Sequence, residues 1–461
     1  MKILMLSWEY PPRIVGGISR VVHDLAKTMS RQGNEVHVVT CWEQGTMEYE
    51  MDGNVFVHRV HPYDINTNYF VTWIMQLNFA ILEKAVEICN KVDFDIIHAH
   101  DWVVAFAAKT LKNSHNIPLI STIHATEHGR NHGLHNDMQR YISSVEWLLA
   151  YESWKVICNS QYMKNEVRYV FQLPEDKLAV INNGVEINKF DGIEKDYNFR
   201  RNYAYDNEKI LLFVGRLVQE KGVQILIDAM PKILQNYNDT KFVIAGKGPQ
   251  LDYLKHKAYE MGVAHKVFFT GYVSDEDLKK LYKCADVAVF PSLYEPFGIV
   301  ALEGMVANVP VVVTDTCGLG EIVEHGIDGM KAYTGNSNSL ADCIIEILYN
   351  SDLAEKIKSN ALKKVQSLYN WDKISKEILG IYQEVLNQTA KEKYGNQKQD
   401  KKSKKVTSKI ALSKKTDKNN PEDTKEENIK ATAVQPKNNE VTLEELVIKN
   451  RKVRTNFVEL H

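Results

Sequence analysis

Short apolar runs alternate with amphipathic segments over the first 180 residues of the chain. Six runs have the length and the Val, Ile and Leu content of buried strands: KILMLSW, EVHVVT, VFVHRV, DIIHAH, PLISTIH and KVICNS. The segment SRVVHDLAKTMSRQG predicts a helix that ends near Gly33 and buries a face formed by Val21, Val22, Leu25, Ala26 and Met29. Strands and helices that alternate with short loops predict a parallel sheet covered by helices.

The pattern breaks at residues 181–192 and then starts again. The stretch INNGVEINKFDG is rich in turn-forming residues, and five strand-like runs follow it: KILLFVG, KFVIAG, KVFFTG, ADVAVFP and VPVVVTD. We therefore predict an α/β protein with two Rossmann-like, doubly wound domains, residues 1–185 and 186–370, that face each other across a cleft. Ligands of such sheets bind beyond the carboxyl ends of the strands, and residues 183–190 are the predicted hinge.

The last part of the chain, residues 391–461, has a different composition. It carries 18 Lys or Arg and 11 Asp or Glu residues, with few aromatic residues. Such a segment cannot bury enough apolar surface to offset its ordering entropy. We expect a low-complexity, Lys-rich, disordered tail, in which only VTLEELVIKN has the pattern of a short amphipathic helix.

Composition and charge narrow the class of protein. A net charge of -2 over 461 residues gives no reason to expect nucleic acid as a partner. The six cysteines form no C-x-x-C pair, and no apolar stretch approaches the length of a membrane span. The segment NTNYFVTWIMQLNFAILEKAVEI is apolar, but it holds one lysine and two acids, so we interpret it as a packed helix. We expect a cytoplasmic protein without stable membrane insertion.

Two glutamates, Glu295 and Glu303, lie eight positions apart where a buried strand turns into a helix. The neighbours of Glu303 are apolar, so this carboxylate is predicted to be buried, and a buried carboxylate needs donors. Sugar and ribose hydroxyls are suitable donors. One glutamate is therefore expected to hold a sugar ring and the other a ribose, with phosphates between them at the helix N-terminus.

Glycines and fixed cations follow other predicted strands. Arg216 and Lys221 lie five residues apart in FVGRLVQEKG, a spacing that suits a diphosphate. Gly16 and Gly17 follow the first strand, where they serve either an anion or a packed turn. Asp101 follows the strand DIIHAH, where a helix cap is the alternative to a functional role.

The combination of G-R-x-x-x-x-K-G with E-P-F-G-x-x-x-x-E resembles the retaining glycosyltransferases of family four, which have the GT-B fold. The resemblance covers roughly residues 1–390. Within that family, SWEYPPRIVGGIS, HAHDW, STIHATEHGR and NNGVE are most similar to glycogen and starch synthases. The resemblance implies transfer of glucose from ADP-glucose or UDP-glucose to the non-reducing end of an α-1,4-glucan. It also implies that the helix over residues 371–390 packs back on the first domain.

The resemblance assigns catalytic roles to four residues. Glu295 is expected to contact the donor sugar, and Arg216 and Lys221 to neutralise the leaving diphosphate. His124 is expected beside the reacting sugar, where its carbonyl or imidazole steadies positive charge at the anomeric carbon. No cofactor is implied.

The resemblance also assigns substrate-binding roles. Glu303 is expected to bind the ribose, Gly17 the donor phosphates and Asp101 the acceptor side. The remaining expected binding residues lie by the cleft or between the two glutamates: Asn183, Gly298, Ile299 and Val300.

Several alternatives stay open. Ile14 stands where bacterial and plant starch synthases carry lysine, and Phe297 where they often carry cysteine, so the choice of nucleotide base is left open. Transfer to another glycan or to a cell-envelope acceptor is the second hypothesis, and a non-catalytic nucleotide-sugar-binding protein is the third. The histidines between residues 124 and 135 fit a polar loop as well as a metal site, and we expect no metal.

Overall fold

A computed structural model describes residues 1–63, 65–67 and 69–392. Its first sheet has eight strands in the order β3-β4-β2-β1-β5-β6-β7-β8. All neighbours in this sheet are parallel except β3 and β4, which are antiparallel. The strands are β1 Lys2–Leu6, β2 Glu35–Cys41, β3 Tyr49–Asp52, β4 Val55–Val60, β5 Ile96–His100, β6 Leu119–Ile123, β7 Lys155–Cys158 and β8 Leu178–Val180.

The second sheet has six parallel strands in the order β11-β10-β9-β12-β13-β14. They are β9 Lys209–Val214, β10 Thr240–Ala245, β11 Val267–Gly271, β12 Val287–Phe290, β13 Val311–Thr314 and β14 Met330–Ala332. The predicted pair of doubly wound sheets is thus confirmed. The tail predicted for residues 391–461 lies, from residue 393 onward, outside the described residues.

Helices cover the faces of both sheets. Those of the first half are α1 Ile18–Arg31, α2 Phe70–Cys89, α3 Ala105–His115, α4 Glu127–Arg130, α5 Asp137–Glu152 and α6 Gln161–Phe171. The second half contributes α7 Tyr197–Arg200, α8 Val223–Asn236, α9 Leu251–Glu260, α10 Asp275–Cys284, α11 Ile299–Val306, α12 Cys317–Ile322, α13 Ser337–Tyr349 and α14 Ser351–Leu368. A last helix, α15, covers residues 371–392.

The eleven strands expected from apolar runs are all present, and the predicted face of α1 is buried. Three strands, β3, β8 and β14, were not predicted. β3, with the sequence YEMD, is an edge strand with exposed positions and no apolar run, and β8 and β14 have only three residues each. Runs this short carry too little periodicity to stand out from loops.

The chain passes between the two sheets twice, and the two passages lie side by side. The Val185 N–H donates to the Tyr369 carbonyl at 2.9 Å, and Gly184 lies against the ring of Trp371. Helix α15 then packs on the first sheet through Trp371, Ile374, Ile378, Tyr382 and Val385. The Tyr382 hydroxyl also hydrogen-bonds His98 Nδ1 at 2.6 Å. The domain boundaries at residues 185 and 370 stay a prediction.

Candidate active site

The carboxyl ends of the two sheets face each other, and loops from both sides make contact there. A Cβ built on Gly17, just before α1, would lie 3.5 Å from Ile299 Cδ1 at the start of α11. The Ser160 hydroxyl donates to the Pro296 carbonyl at 2.7 Å. The glycine loop of the first half therefore reaches the strand-to-helix turn that contains the E-P-F-G motif.

Lys221 and Glu295 form a tight ion pair, with Nζ 2.5 Å from Oε2. The Ser292 hydroxyl is 3.4 Å from the same carboxylate oxygen. Arg216 comes directly after β9 and Gly215, and its guanidinium is half exposed and 3.5 Å from Glu220. Two predicted site residues are thus joined, while the Arg216 side chain is left facing solvent at the same edge of the sheet.

Two glycines in these motifs are required by packing. Gly222 has φ +70°, and a Cβ there would meet the Pro291 carbonyl oxygen at 1.8 Å. Gly298 has φ +106°, and a Cβ there would lie 2.6 Å from the Leu319 side chain. Only glycine combines these backbone angles with such close approach. Gly222 therefore lets the loop after β9 pack against the end of β12, and Gly298 lets the start of α11 pack against α12.

Glu303 is 1 % exposed and lies within α11. Its Oε1 atom accepts from Arg20 Nη1 at 2.6 Å and from Lys189 Nζ at 2.5 Å, while its Oε2 atom is buried without a hydrogen-bond partner in the described part of the chain. Burial raises the pKa of Glu303, but Lys189 and Arg20 more than offset this, so the pKa lies below its usual value. Glu303 is therefore held as a carboxylate.

Arg20 was missed by the sequence reasoning. It lies on α1 of the first half, yet it binds Glu303 and, through Nη2, Asp275 Oδ1 at 2.6 Å, both in the second half. Arg20 and Glu303 are 283 positions apart, so no local pattern connects them. Arg20 ties the glycine-loop helix of one half to the expected ribose-binding residue of the other.

Glu9 was not predicted as a site residue, although it lies in the segment SWEYPPRIVGGIS. Its buried carboxylate accepts the backbone N–H groups of Val15 and Gly16 at 2.8 and 2.7 Å. Burial raises the pKa of Glu9, and the two loop N–H groups oppose that rise without cancelling it. Glu9 thus fixes the conformation of the loop that ends at Gly17.

Asp101 holds His124, because its Oδ1 atom accepts the His124 backbone N–H at 2.8 Å. Asp101 has φ +59°, a left-handed conformation that non-glycine residues rarely adopt. Its side chain makes no capping hydrogen bond to the short helix Trp102–Val104 that follows. The helix-cap alternative therefore fails, and the two predicted residues lie together.

A row of buried histidines leads to His124. His98 Nε2 contacts the Thr122 hydroxyl at 2.7 Å, and His100 Nδ1 lies 3.2 Å from His124 Nε2. Burial lowers the pKa of His98 to about 3, and it lowers the pKa of His100 and of His124 as well. The imidazoles are therefore uncharged at neutral pH, which suits a group placed beside developing positive charge.

Val300 and Asn183 are two further predicted binding residues. The Val300 carbonyl is 3.4 Å from the Tyr282 hydroxyl, so it faces the interior of the second half. Asn183 is buried in the passage between the sheets, next to Gly184. The structure thus joins Lys221 with Glu295, Asp101 with His124 and Gly17 with Ile299, whereas it places Asn183 in the connecting segment.

Within residues 1–392, apart from 64 and 68, no group of three or more His, Cys, Asp or Glu side chains is arranged to hold a metal ion. In the same part of the chain, no helix has both the length and the apolar character needed to cross a membrane.

The arrangement suits an anion with two phosphates. Arg216 and Lys221 supply positive charge in the loop after β9, and α11 begins at Ile299, where the first turn of a helix directs backbone N–H groups outward. Glu295 and Glu303 supply acceptors for hydroxyl groups on either side of that helix start. The cations are suited to the phosphates of a nucleotide-sugar, and the carboxylates are suited to its hydroxyl groups.

Two relatives are similar over nearly their whole length. An uncharacterized glycosyltransferase of Methanocaldococcus jannaschii is 45% identical over 386 residues, which is 83% of this chain and 98% of the relative. A glycogen synthase of Mycobacterium tuberculosis is 32% identical over 398 residues, covering 83% of this chain and 94% of the relative.

Family and structure comparisons agree with these relatives. The family described as Glycosyltransferase Family 4 matches residues 15–189, and the one described as Glycosyl transferases group 1 matches residues 194–364. Sucrose-phosphate synthase from Thermosynechococcus elongatus has the same fold, with a TM-score of 0.73, 22% identity and coverage of 84% of this chain and 99% of that one. The chain therefore belongs to the family-four glycosyltransferases with the GT-B fold.

Proposed function

We propose that this glycosyltransferase moves glucose from a nucleotide-diphosphoglucose, ADP-glucose or UDP-glucose, to the non-reducing end of an α-1,4-glucan. The observation that carries the proposal is the Lys221–Glu295 pair, which sets a cation and a hydroxyl acceptor 2.5 Å apart at the end of the second sheet. The 32% identity to a glycogen synthase supports glucose and a glucan as substrates.

Lys221 and Arg216 are the proposed contacts of the donor diphosphate. The Lys221 ammonium has three N–H donors, and the contact with Glu295 uses one of them. The half-exposed guanidinium of Arg216 has five donors in a planar fork, which matches phosphate oxygens. As the glycosidic bond breaks, negative charge grows on the diphosphate, so fixed cations here lower the barrier more than they favour ground-state binding.

Glu295 and His124 are the proposed contacts of the transferred sugar. Glu295 accepts hydroxyl hydrogen bonds while Lys221 holds its carboxylate in place. Burial keeps the His124 imidazole neutral, so it adds no repulsive charge next to an anomeric carbon that becomes positive. Asp101 orients His124 through the backbone, as the 2.8 Å hydrogen bond indicates.

Glu303 is the proposed ribose contact, and Gly17 the proposed phosphate contact of the first half. Both assignments depend on the meeting of the two halves, because Gly17 faces Ile299 and Arg20 binds Glu303. Asn183, in the passage between the halves, is proposed to border the same cleft. The proposed roles need no metal, since Arg216 and Lys221 supply the charge that a metal would otherwise supply.

The test is a direct assay of transfer. The full chain is incubated with ADP-glucose or UDP-glucose labelled in the glucose, with glycogen or maltoheptaose as acceptor, and labelled glucan and released nucleotide are measured. We expect label in the glucan with at least one donor. Nucleotide release without glucan labelling would reject the acceptor, and the absence of both with either donor would reject the proposed function.

A further inference from the structure

Four aromatic side chains meet at the carboxyl end of the first sheet, and the proposed function leaves them unused. Trp8 lies two residues after β1, Trp102 directly follows Asp101, and Phe70 and Trp73 lie in the first turn of α2. We call Trp8, Phe70, Trp73 and Trp102 the aromatic platform. Phe70 and Trp73 belong to the apolar segment predicted to form a packed helix, and Trp8 and Trp102 belong to the segments that follow β1 and β5.

The rings of the platform contact one another in a continuous set. Phe70 stacks on Trp73 with centroids 6.2 Å apart, and it meets Trp102 edge to face at the same distance. Trp8 meets Phe70 and Trp73 edge to face at 6.4 and 6.5 Å. Such pairs hold aromatic rings in fixed orientations.

The platform is buried on one side and open on the other. Trp102 belongs to the buried core, and Trp8 and Trp73 are partly buried against it. Phe70 is 47 % exposed, and the adjacent Tyr69 is 73 % exposed. The rest of α2 packs as expected, with Ile74, Leu77 and Ile81 in the core. An exposed aromatic surface held by a rigid base is typical of a binding site.

Polar groups border the rings. The Arg13 guanidinium lies 5.7 Å from the ring centroids of both Trp8 and Trp73. Glu43 Oε2 binds the same guanidinium at 2.8 Å, which leaves further N–H donors and a carboxylate at the edge of the platform. Flat apolar faces bordered by both donors and acceptors match a sugar ring, which has apolar C–H faces and hydroxyls around its edge.

The platform is continuous with the proposed active site. Trp102 follows Asp101, which binds His124, and Arg13 is in the loop that leads to Gly17. Resting on the proposed function, we propose that the aromatic platform binds glucose units of the acceptor glucan beyond the unit that receives the new sugar. The platform thereby selects longer acceptors over shorter ones.

Charge argues for a glucan rather than an anionic lipid surface as the occupant. Helix α2 contains one lysine, Lys84, which is 2.5 Å from Glu87, and it contains two glutamates. At the platform itself, Arg13 is already paired with Glu43. A surface with so little unpaired positive charge gains nothing from anionic headgroups, whereas a neutral glucan needs no such charge.

Phe70→Ala is the main test, because this side chain is half exposed and its removal spares the core. We expect the KM for maltoheptaose to rise about 3- to 10-fold, with the KM for the donor and for maltose unchanged. Phe70→Trp keeps an aromatic face and should retain the normal KM. Trp147→Ala is the matched control, since Trp147 is also exposed and stacks on Tyr151 at 5.0 Å, outside the platform.

Binding measured without turnover separates this inference from the proposed function. Calorimetric titration of the full chain with maltoheptaose should show binding that Phe70→Ala weakens and Trp147→Ala does not. If the wild-type protein binds maltoheptaose in this way but extends no glucan, the proposed function fails and the platform stands. No binding by the wild-type protein, equal effects of both variants, or Phe70-dependent binding to phosphatidylglycerol vesicles would overturn the platform as a glucan site.

Discussion

Glu295 and Glu303 belong to one motif and both pair with cations, yet their partners come from different parts of the molecule. Glu295 is bound by Lys221, which comes from the same half of the molecule. Glu303 is bound by Arg20 of the first half and by Lys189 of the passage between the halves. The first carboxylate is therefore organised within one sheet, whereas the second depends on how the two halves meet.

The two environments also differ in exposure to water. The Lys221 and Glu295 side chains retain 21 % and 11 % of their exposure, while the Glu303 side chain retains 1 %. Removal of a partner from a fully buried charge is more costly than removal from a partly hydrated one. Variants of the Glu295 pair should thus change mainly turnover, and variants of the Glu303 pairs mainly stability.

The largest effect is expected for Lys221→Ala. Loss of a cation that contacts the leaving diphosphate should lower kcat about 10²- to 10³-fold, while the free energy of unfolding falls by about 1 kcal/mol. Glucosyl transfer and urea unfolding measure the two quantities. Lys232→Ala is the control, because Lys232 forms an exposed ion pair with Asp342 at 2.6 Å. Near-normal turnover of the Lys221 variant with every donor would remove the diphosphate assignment, and Arg216→Ala tests it independently.

Arg20→Met should show the reverse balance. It leaves Glu303 buried with Lys189 as its remaining partner, so we expect the free energy of unfolding to fall by about 3 kcal/mol. Urea unfolding compares it with Arg201→Met, which removes an exposed, hydrated pair with Asp206 and should leave the free energy of unfolding nearly unchanged. Equal losses in the two variants would contradict the view that Arg20 joins the halves through a buried charge.

The contributions of Glu303 and of the buried histidines to stability are expected to be lost over different ranges of pH. The lowered pKa of Glu303 means that its contribution is complete above about pH 4.5 and declines only as the pH falls below that value. For His98, whose pKa is lowered to about 3, the unfolded chain binds the extra proton below about pH 6.5. The His98 contribution should therefore lower stability from pH 6.5 downward, by about 1.4 kcal/mol per pH unit.

His98→Gln tests this assignment, because glutamine can still hydrogen-bond but does not titrate. Urea unfolding at pH 7.0, 6.0 and 5.0 should give a shallower decline in the variant than in the wild-type protein. His256→Gln is the control, since His256 is exposed and pairs with Glu260 on α9. An unchanged slope for His98→Gln would show that this histidine is not the source of the acid sensitivity.

The smallest effect is expected for removal of residues 391–461. All motif residues precede this segment, so kcat on maltoheptaose should stay within about twofold of the wild-type value. Truncation before Tyr382 serves as the contrast, because it removes the hydrogen bond to His98 and the Val385 contact with the first sheet. Loss of activity in the shorter deletion would make the tail part of the working enzyme.

The main elements and the motifs can be predicted from the order of residues along the chain. Apolar runs predict eleven of the strands. The patterns G-R-x-x-x-x-K-G and E-P-F-G-x-x-x-x-E indicate the family without any knowledge of contacts between residues. These features are local: the spacing of apolar residues reflects which face of a strand or helix is buried, and Gly222 and Gly298 mark backbone angles that few residues adopt. The strands β8 and β14, with three residues each, are too short to produce such a pattern, and the edge strand β3 contains no apolar run.

Contacts between residues far apart in the chain depend on how the elements pack. Arg20 with Glu303, Asp101 with His124, and Tyr382 with His98 are pairs whose members lie 283, 23 and 284 positions apart. Arg20 meets Glu303 because the halves pack against each other, Tyr382 meets His98 because α15 returns to the first sheet, and Asp101 meets the His124 backbone because β5 and β6 are neighbours in that sheet. Hydrophobic burial drives that packing without regard to position in the chain, so the partners of a buried charge follow from the whole fold and not from its neighbouring residues.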